Sequence, residues 1–206
     1  MGGRAGGGGG AGFGSRSGGG GMTRSDVIAK YPELMTKVKD AAVRDEIVEA
    51  IQEMERDFGV TPDSLTFYNR KDNVAGRQSE DGGTKLNLKY LGDSAQSKQI
   101  YATGHHPQGT EKNPAKATMI HELAHKIDFK HGSYGSKMSK DLDAAYSTFM
   151  KGWGQGKKNN PTAHSLGGYS TWDKHEYFAE ALSAYKSGLK NQYTTAAYKI
   201  AKKYSK

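Results

Sequence analysis

Between Ser25 and Phe58 apolar residues recur every three or four positions: Val27, Tyr31, Leu34, Val38 and Ala41, then Ile47, Ile51, Met54 and Phe58. That spacing keeps one helical face apolar and predicts two helices in succession, with Pro32 suited to a helix start. Gly59 closes the region, and the period then shortens. Leu65 to Tyr68 reads as a strand, and Lys85 to Leu91 sets Leu86, Leu88 and Tyr90 against Lys85, Asn87 and Lys89, the alternation of a strand wet on one face. Asp81-Gly82-Gly83 supplies the turn before it, and Ile100-Tyr101-Ala102 reads as a further short strand ending at Gly104.

The helical period returns from Ala115 to Phe129, with Asn113 as cap, Pro114 in the first turn, and Ile120, Leu123, Ala124 and Ile127 as the buried stripe. Asp141 to Met150 predicts another helix, and Lys151 to Thr171, rich in Gly, Asn and Lys, a long loop of the kind that often carries function. Two helices close the chain. Asp173 to Lys186 turns Phe178, Ala181, Leu182 and Tyr185 inward, and Lys190 to Tyr204 does the same with Tyr193, Ala197, Ile200 and Tyr204. The order implies an α+β fold, a small mixed sheet followed by a long central helix and a C-terminal helical part.

Composition refines this picture at the ends. The chain has 206 residues, enough for one domain over residues 22–206 once the first 21 are set aside. Residues 1–21 are almost all Gly, Ser and Arg with one aromatic, Phe13, and read as a flexible linker or tail; a linker in that place suggests a piece cut or cloned from a longer polypeptide. No run is apolar enough to span a bilayer, and Gly stands where a secretory signal needs a hydrophobic stretch, so a soluble protein without a signal peptide is expected. The net charge of +8 is uneven: after Glu180 no acid remains, while Lys186, Lys190, Lys199, Lys202, Lys203 and Lys206 do. No nucleic-acid motif accompanies these lysines, so a solvated amphipathic helix is the preferred reading over nucleic-acid binding.

Chemistry enters at His121-Glu122-Leu123-Ala124-His125. Residues four apart share a helical face, so the two imidazoles can converge on one metal ion with Glu122 beside its open position. With no cysteine in the chain, such an ion must be held by His and carboxylate. A catalytic zinc keeps three protein ligands and a water, whose proton Glu122 would take.

Two residues compete for the third ligand. His131 stands six residues past His125, but Asp128 occupies the position where a glycine would let the helix stop and the chain turn back. Glu176 lies in His175-Glu176-Tyr177-Phe178-Ala179-Glu180, where two carboxylates four apart share a helical face; one can bind metal while the other orients a ligand. Glu176 fits equally well as the N3 residue of a capping box begun by Asp173, with Trp172 and Tyr177 as a hydrophobic staple. Tyr169 follows Gly167 and Gly168, which would let the backbone approach a substrate. His105, His106, His164 and His175 receive no role.

His121 to Asp128, then Tyr169, then Glu176-Tyr177-Phe178-Ala179-Glu180, resemble the catalytic domain of anthrax lethal factor and the related Pro-Pro endopeptidases. The resemblance covers about a dozen positions between His121 and Ala184. It implies a zincin-like metallopeptidase with Zn2+ on His121, His125 and Glu176. It further implies Glu180 as a carboxylate hydrogen-bonded to a ligating His, Asp128 as the Asp that follows the motif, and Tyr169 as a donor to the oxyanion.

The expected activity is therefore zinc-dependent cleavage of peptide bonds, on a protein or peptide substrate, with Glu122 and Tyr169 catalytic. An extended substrate would add to an edge strand at Lys98 to Thr103, as in zincins generally. The alternative is a non-catalytic zinc-binding interaction domain from a toxin or phage virion polypeptide.

Overall fold

The computed structural model describes residues 21–72 and 74–205; apart from Gly21, the Gly-rich stretch read as a linker lies outside them. Three helices open the chain, α1 (Arg24–Lys30), α2 (Glu33–Lys37) and α3 (Ala41–Phe58), where the apolar spacing predicted two. The additional break falls at Tyr31 and Pro32, where α1 ends and α2 begins, while Asp40, whose side chain accepts from Ala42 N at 2.8 Å and Val43 N at 3.4 Å, starts α3. Gly59, at φ 66°, ends α3 in the left-handed conformation that glycine adopts without steric cost.

Three strands follow, β1 (Ser64–Tyr68), β2 (Gly76–Gln78) and β3 (Gly83–Asn87), ordered β1-β3-β2. β3 runs parallel to β1 and antiparallel to β2, so the sheet is small and mixed. β2 was not foreseen, three residues being too few to show a period. The strand expected over Lys85 to Leu91 ends at Asn87, and its last residues form α4 (Leu88–Leu91). Asn87 explains the change of course. Its Nδ2 donates to Arg70 O at 2.8 Å, Asp72 Oδ1 at 2.9 Å and Val74 O at 3.0 Å, while its Oδ1 accepts from Lys89 N at 3.1 Å and caps the new helix.

The strand expected at Ile100-Tyr101-Ala102 is the end of a helix, α5 (Ser94–Tyr101), so the edge strand placed at Lys98 to Thr103 does not exist. Asp93 caps α5 by accepting from Gln96 N at 2.8 Å, and Ser97 and Tyr101, four apart, are its buried residues. A short apolar run cannot distinguish strand from helix, and here the cap and the four-residue spacing decide.

The long central helix α6 (Pro114–His131) forms as predicted, and Ile120, Leu123, Ala124 and Ile127 are all buried. Its start is capped differently from expectation. Asn113 makes no side-chain cap; Glu46 of α3, itself 8% exposed, accepts from Ala115 N at 2.9 Å and Lys116 N at 3.4 Å. A carboxylate there also suits the positive end of the helix dipole.

Beyond α6 come α7 (Lys137–Gly154), α8 (Pro161–His164), α9 (Lys174–Lys186) and α10 (Gln192–Tyr204). The stretch read as one long loop is thus shortened by α7 and divided by α8 and a 3-10 turn at Tyr169–Thr171. α6 packs between α3 and α9, with Ser183 of α9 donating to Ala117 O at 2.9 Å. Several C-terminal lysines are engaged within the chain: Lys186 with Asp57 at 2.5 Å, Lys202 with Asp57 O at 2.6 Å, and Lys203 with Asp141 at 2.7 Å. No helix among the described residues is long and apolar enough to cross a membrane.

Candidate metal centre

On α6 the four-residue spacing brings His121 Nε2 and His125 Nε2 to 3.1 Å of each other. From α9, Glu176 places Oε2 3.3 Å from His121 Nε2 and Oε1 3.6 Å from His125 Nε2. These three residues form the group that could hold a metal ion. Bonds of 2.0–2.1 Å to a tetrahedral ion would set ligand atoms about 3.3 Å apart, close to all three separations. Glu176 Oε2 is also buried without a hydrogen-bond partner, an arrangement that an ion would satisfy and that is otherwise costly.

Asp173 leaves Glu176 free for this position. It caps α9 alone, accepting from His175 N at 2.8 Å and Glu176 N at 2.9 Å, without the reciprocal bond of a capping box. His131 is the last residue of α6, and the helix continues through Asp128 without turning back. Six residues of helix carry His131 about 9 Å along the axis from His125, and it does not belong to the group.

The charges at the centre are strongly coupled. Burial opposes charge on Glu176, but His121 and His125 close beside it outweigh that and hold the carboxyl far below its usual range. Burial likewise disfavours the His121 imidazolium, and Glu176 and Glu180 reverse the balance and raise it. Glu122 has no comparable compensation: burial pushes its carboxyl up, against the lowering effect of the two histidines. It is 5% exposed and lies against Gly76 of β2, where a Cβ would stand 2.5 Å from its Oε1. An isolated glycine in a strand signals such a close approach, and this one was legible only once β2 was known.

Glu180, one turn beyond Glu176, sets Oε1 3.4 Å from His121 Nδ1. Burial would raise its carboxyl, but hydrogen bonds from His106 and His121 lower it to about 2. His106, given no role from sequence, meets the same Oε1 through Nδ1 at 3.4 Å. Asp128 is buried and joins His175 Nδ1 at 2.5 Å, tying α6 to the start of α9 through the residue before Glu176; its Oδ1 has no hydrogen-bond partner. His164 stacks on Trp153 with ring centroids 4.0 Å apart. Nothing in the sequence distinguished His106 and His175 from it, because each meets its carboxylate only through tertiary packing.

Tyr169 lies with its ring centroid 6.2 Å from that of His121 and 4.4 Å from that of Trp172. Burial, then the carboxylates of Glu176, Glu180 and Glu122, push its phenol up, so it remains a proton donor near neutrality. The glycine before it works differently from expectation. Gly167, at φ 74°, would place a Cβ 2.5 Å from His105 O, so its close approach is to this chain's own backbone. Tyr169 N donates to that same carbonyl at 3.2 Å, and Gln108 N to Ser165 O at 2.8 Å. The two loops are thereby clasped.

The three candidate ligands, with Glu122, Glu180, His106 and Tyr169, border a cavity of about 1030 Å³, walled by Val74 to Gln78 on one side and by Tyr169 and Trp172 on another. Two exposed aromatics, Phe129 at 44% and Trp172 at 69%, stand on its lining. β2 is an edge of the sheet, pairing with β3 alone among the described strands. Comparison of the chain with protein-family models, curated proteins and solved structures found no match.

Proposed function

We propose that the chain is a zincin-like, zinc-dependent endopeptidase, with His121, His125 and Glu176 as ligands and Glu122 as the base. The observation that carries this reading is the cluster of ligand atoms, His121 Nε2 lying 3.1 Å from His125 Nε2 and the two Glu176 carboxylate oxygens 3.3 and 3.6 Å from one ring nitrogen each, opening on a cavity that Glu122 also lines. Two neutral imidazoles and a carboxylate are a donor set that suits Zn2+ and leaves a fourth position free. When bound, zinc would acidify a water and polarise a carbonyl.

The chain's own residues supply the remainder. Glu122, with a raised carboxyl pKa, is suited to take the attacking water's proton and return it to the departing amine. Tyr169 retains its phenolic proton and would hydrogen-bond the oxyanion that develops at the scissile carbonyl. β2 takes over the part expected of Lys98 to Thr103: its unpaired edge would receive an extended peptide through main-chain hydrogen bonds.

The test is Glu122→Gln in the full chain, with zinc content and cleavage of a mixed peptide library measured together. The reading expects zinc retained and cleavage lost. Cleavage at the wild-type rate would overturn the mechanism, and a wild-type protein that binds zinc yet cleaves nothing would favour the non-catalytic interaction domain.

A further inference from the structure

We infer that His106 is a positioning residue for the metal centre: it fixes the Glu180 carboxylate, which in turn fixes the ring of His121. The inference rests on the zinc reading above and extends it to a loop residue outside both metal-bearing helices.

Glu180 Oε1 is shared. It lies 3.4 Å from His121 Nδ1 and 3.4 Å from His106 Nδ1, and the Glu180 side chain is only 5% exposed. A buried carboxylate with one partner can rotate about its last torsion; with donors from two directions its orientation is set. Both imidazoles turn Nδ1 toward that oxygen, the side on which a carboxylate favours the ring proton. For His121 this selects the tautomer whose Nε2 lone pair faces Glu176 and His125.

His106 is itself held in two ways. Its ring stacks on Tyr101 with centroids 4.1 Å apart and planes 9° from parallel. The Tyr101 hydroxyl bonds Thr118 Oγ1 on α6, one turn before His121, so the stacking partner is anchored to the ligand helix. The backbone at His105 and His106 lies so close over Gly167 that any Cβ there would collide with it. A solvated loop histidine would have none of these restraints. Together they fix where its donor stands.

Two substitutions separate the donor from the ring. His106→Phe keeps a flat ring on Tyr101 and removes the nitrogen; His106→Asn keeps a donor at the position of Nδ1 and removes the ring. Zinc affinity is measured by competition with a chromophoric chelator, alongside the visible spectrum of the Co2+-substituted protein and the melting temperature of the zinc-free form.

Loss of a hydrogen-bonding partner around a metal ligand typically weakens binding roughly 10–100-fold. That loss is expected for His106→Phe, with an altered Co2+ spectrum and a zinc-free melting temperature close to wild type. His106→Asn should stay within about threefold of wild type, since the donor is kept. Wild-type zinc affinity in a folded His106→Phe, or a larger loss in Asn than in Phe, would overturn the inference. Failure of the wild-type chain to bind zinc at all would instead remove the reading beneath it.

Discussion

A close approach in the site joins a strand that sequence did not reveal to the residue proposed as base, and it yields a prediction with a calculable size. A methyl group on Gly76 would stand 2.5 Å from Glu122 Oε1, 2.8 Å from its Cγ and 2.9 Å from its Cδ. Carbon atoms in contact settle about 3.5–4.0 Å apart, so the Cγ contact is short by about 1 Å. Glu122 is 5% exposed, and Gly76 is in register opposite Leu86 of β3, so neither side yields freely. Forcing an extra methyl into a packed site costs about 1–3 kcal/mol, and a displacement of about 1 Å at a reacting group costs on the order of 10²-fold in rate. Gly76→Ala should therefore lower kcat by roughly that factor while zinc stays bound, because the three atoms nearest the added methyl all belong to Glu122 and none to a proposed ligand. The assay pairs steady-state cleavage of a peptide selected from a library with metal analysis and thermal denaturation of the same sample. Unchanged kcat in a folded, zinc-loaded Gly76→Ala would refute the reasoning, since it would mean that the position of Glu122 does not matter.

Two further expectations follow from other contacts. Glu176→Ala should abolish stoichiometric zinc binding, measured by metal analysis after dialysis, whereas His131→Ala should leave it intact, because His131 lies six residues beyond His125 on an unbroken helix. For Asp57, burial opposes ionisation, but the hydrogen bond from Lys186 and the charges of Lys186, Lys202 and Arg56 outweigh it and lower the carboxyl below its ordinary 3.8. A depressed carboxyl contributes stability above its unfolded pKa and loses it as pH falls through the folded one. Denaturant titrations of wild type and Asp57→Asn should thus differ at neutral pH and converge below pH 3.8; a constant difference down to pH 2 would contradict this.

Where a helix carries its own periodic signal, the sequence was legible. The stripe of α6 and, apart from the half-buried Tyr185 and Tyr204, the inward faces of α9 and α10 are buried as their spacing implies, and the two histidines of α6 converge because four residues return to one face. The convergence of Glu176 on them was readable only as one of two options, since its offset from Asp173 suits a cap as well as a ligand. The sheet was less legible. Asn87 sits within an apolar alternation, and only the carbonyls of Arg70 and Val74 brought to it by the fold explain why the strand ends there. Ile100 and Tyr101 fell to α5 because a capping Asp93 outweighs two residues of strand-like character. His106 and His175 left no trace, their carboxylate partners being distant in sequence.

Drawing the proposed ligands from α6 and α9 has a consequence for how the protein would report its own condition. His121 and His125 stay aligned whenever α6 is helical, but Glu176 joins them only when α9 is docked. Metal affinity would then measure side-chain packing between two helices, not helix content. In a loosened state that keeps its helices but loses fixed packing, far-ultraviolet dichroism would persist while the ion departed. Ion release would therefore precede the loss of secondary structure, and bound ion would by mass action resist that loosening.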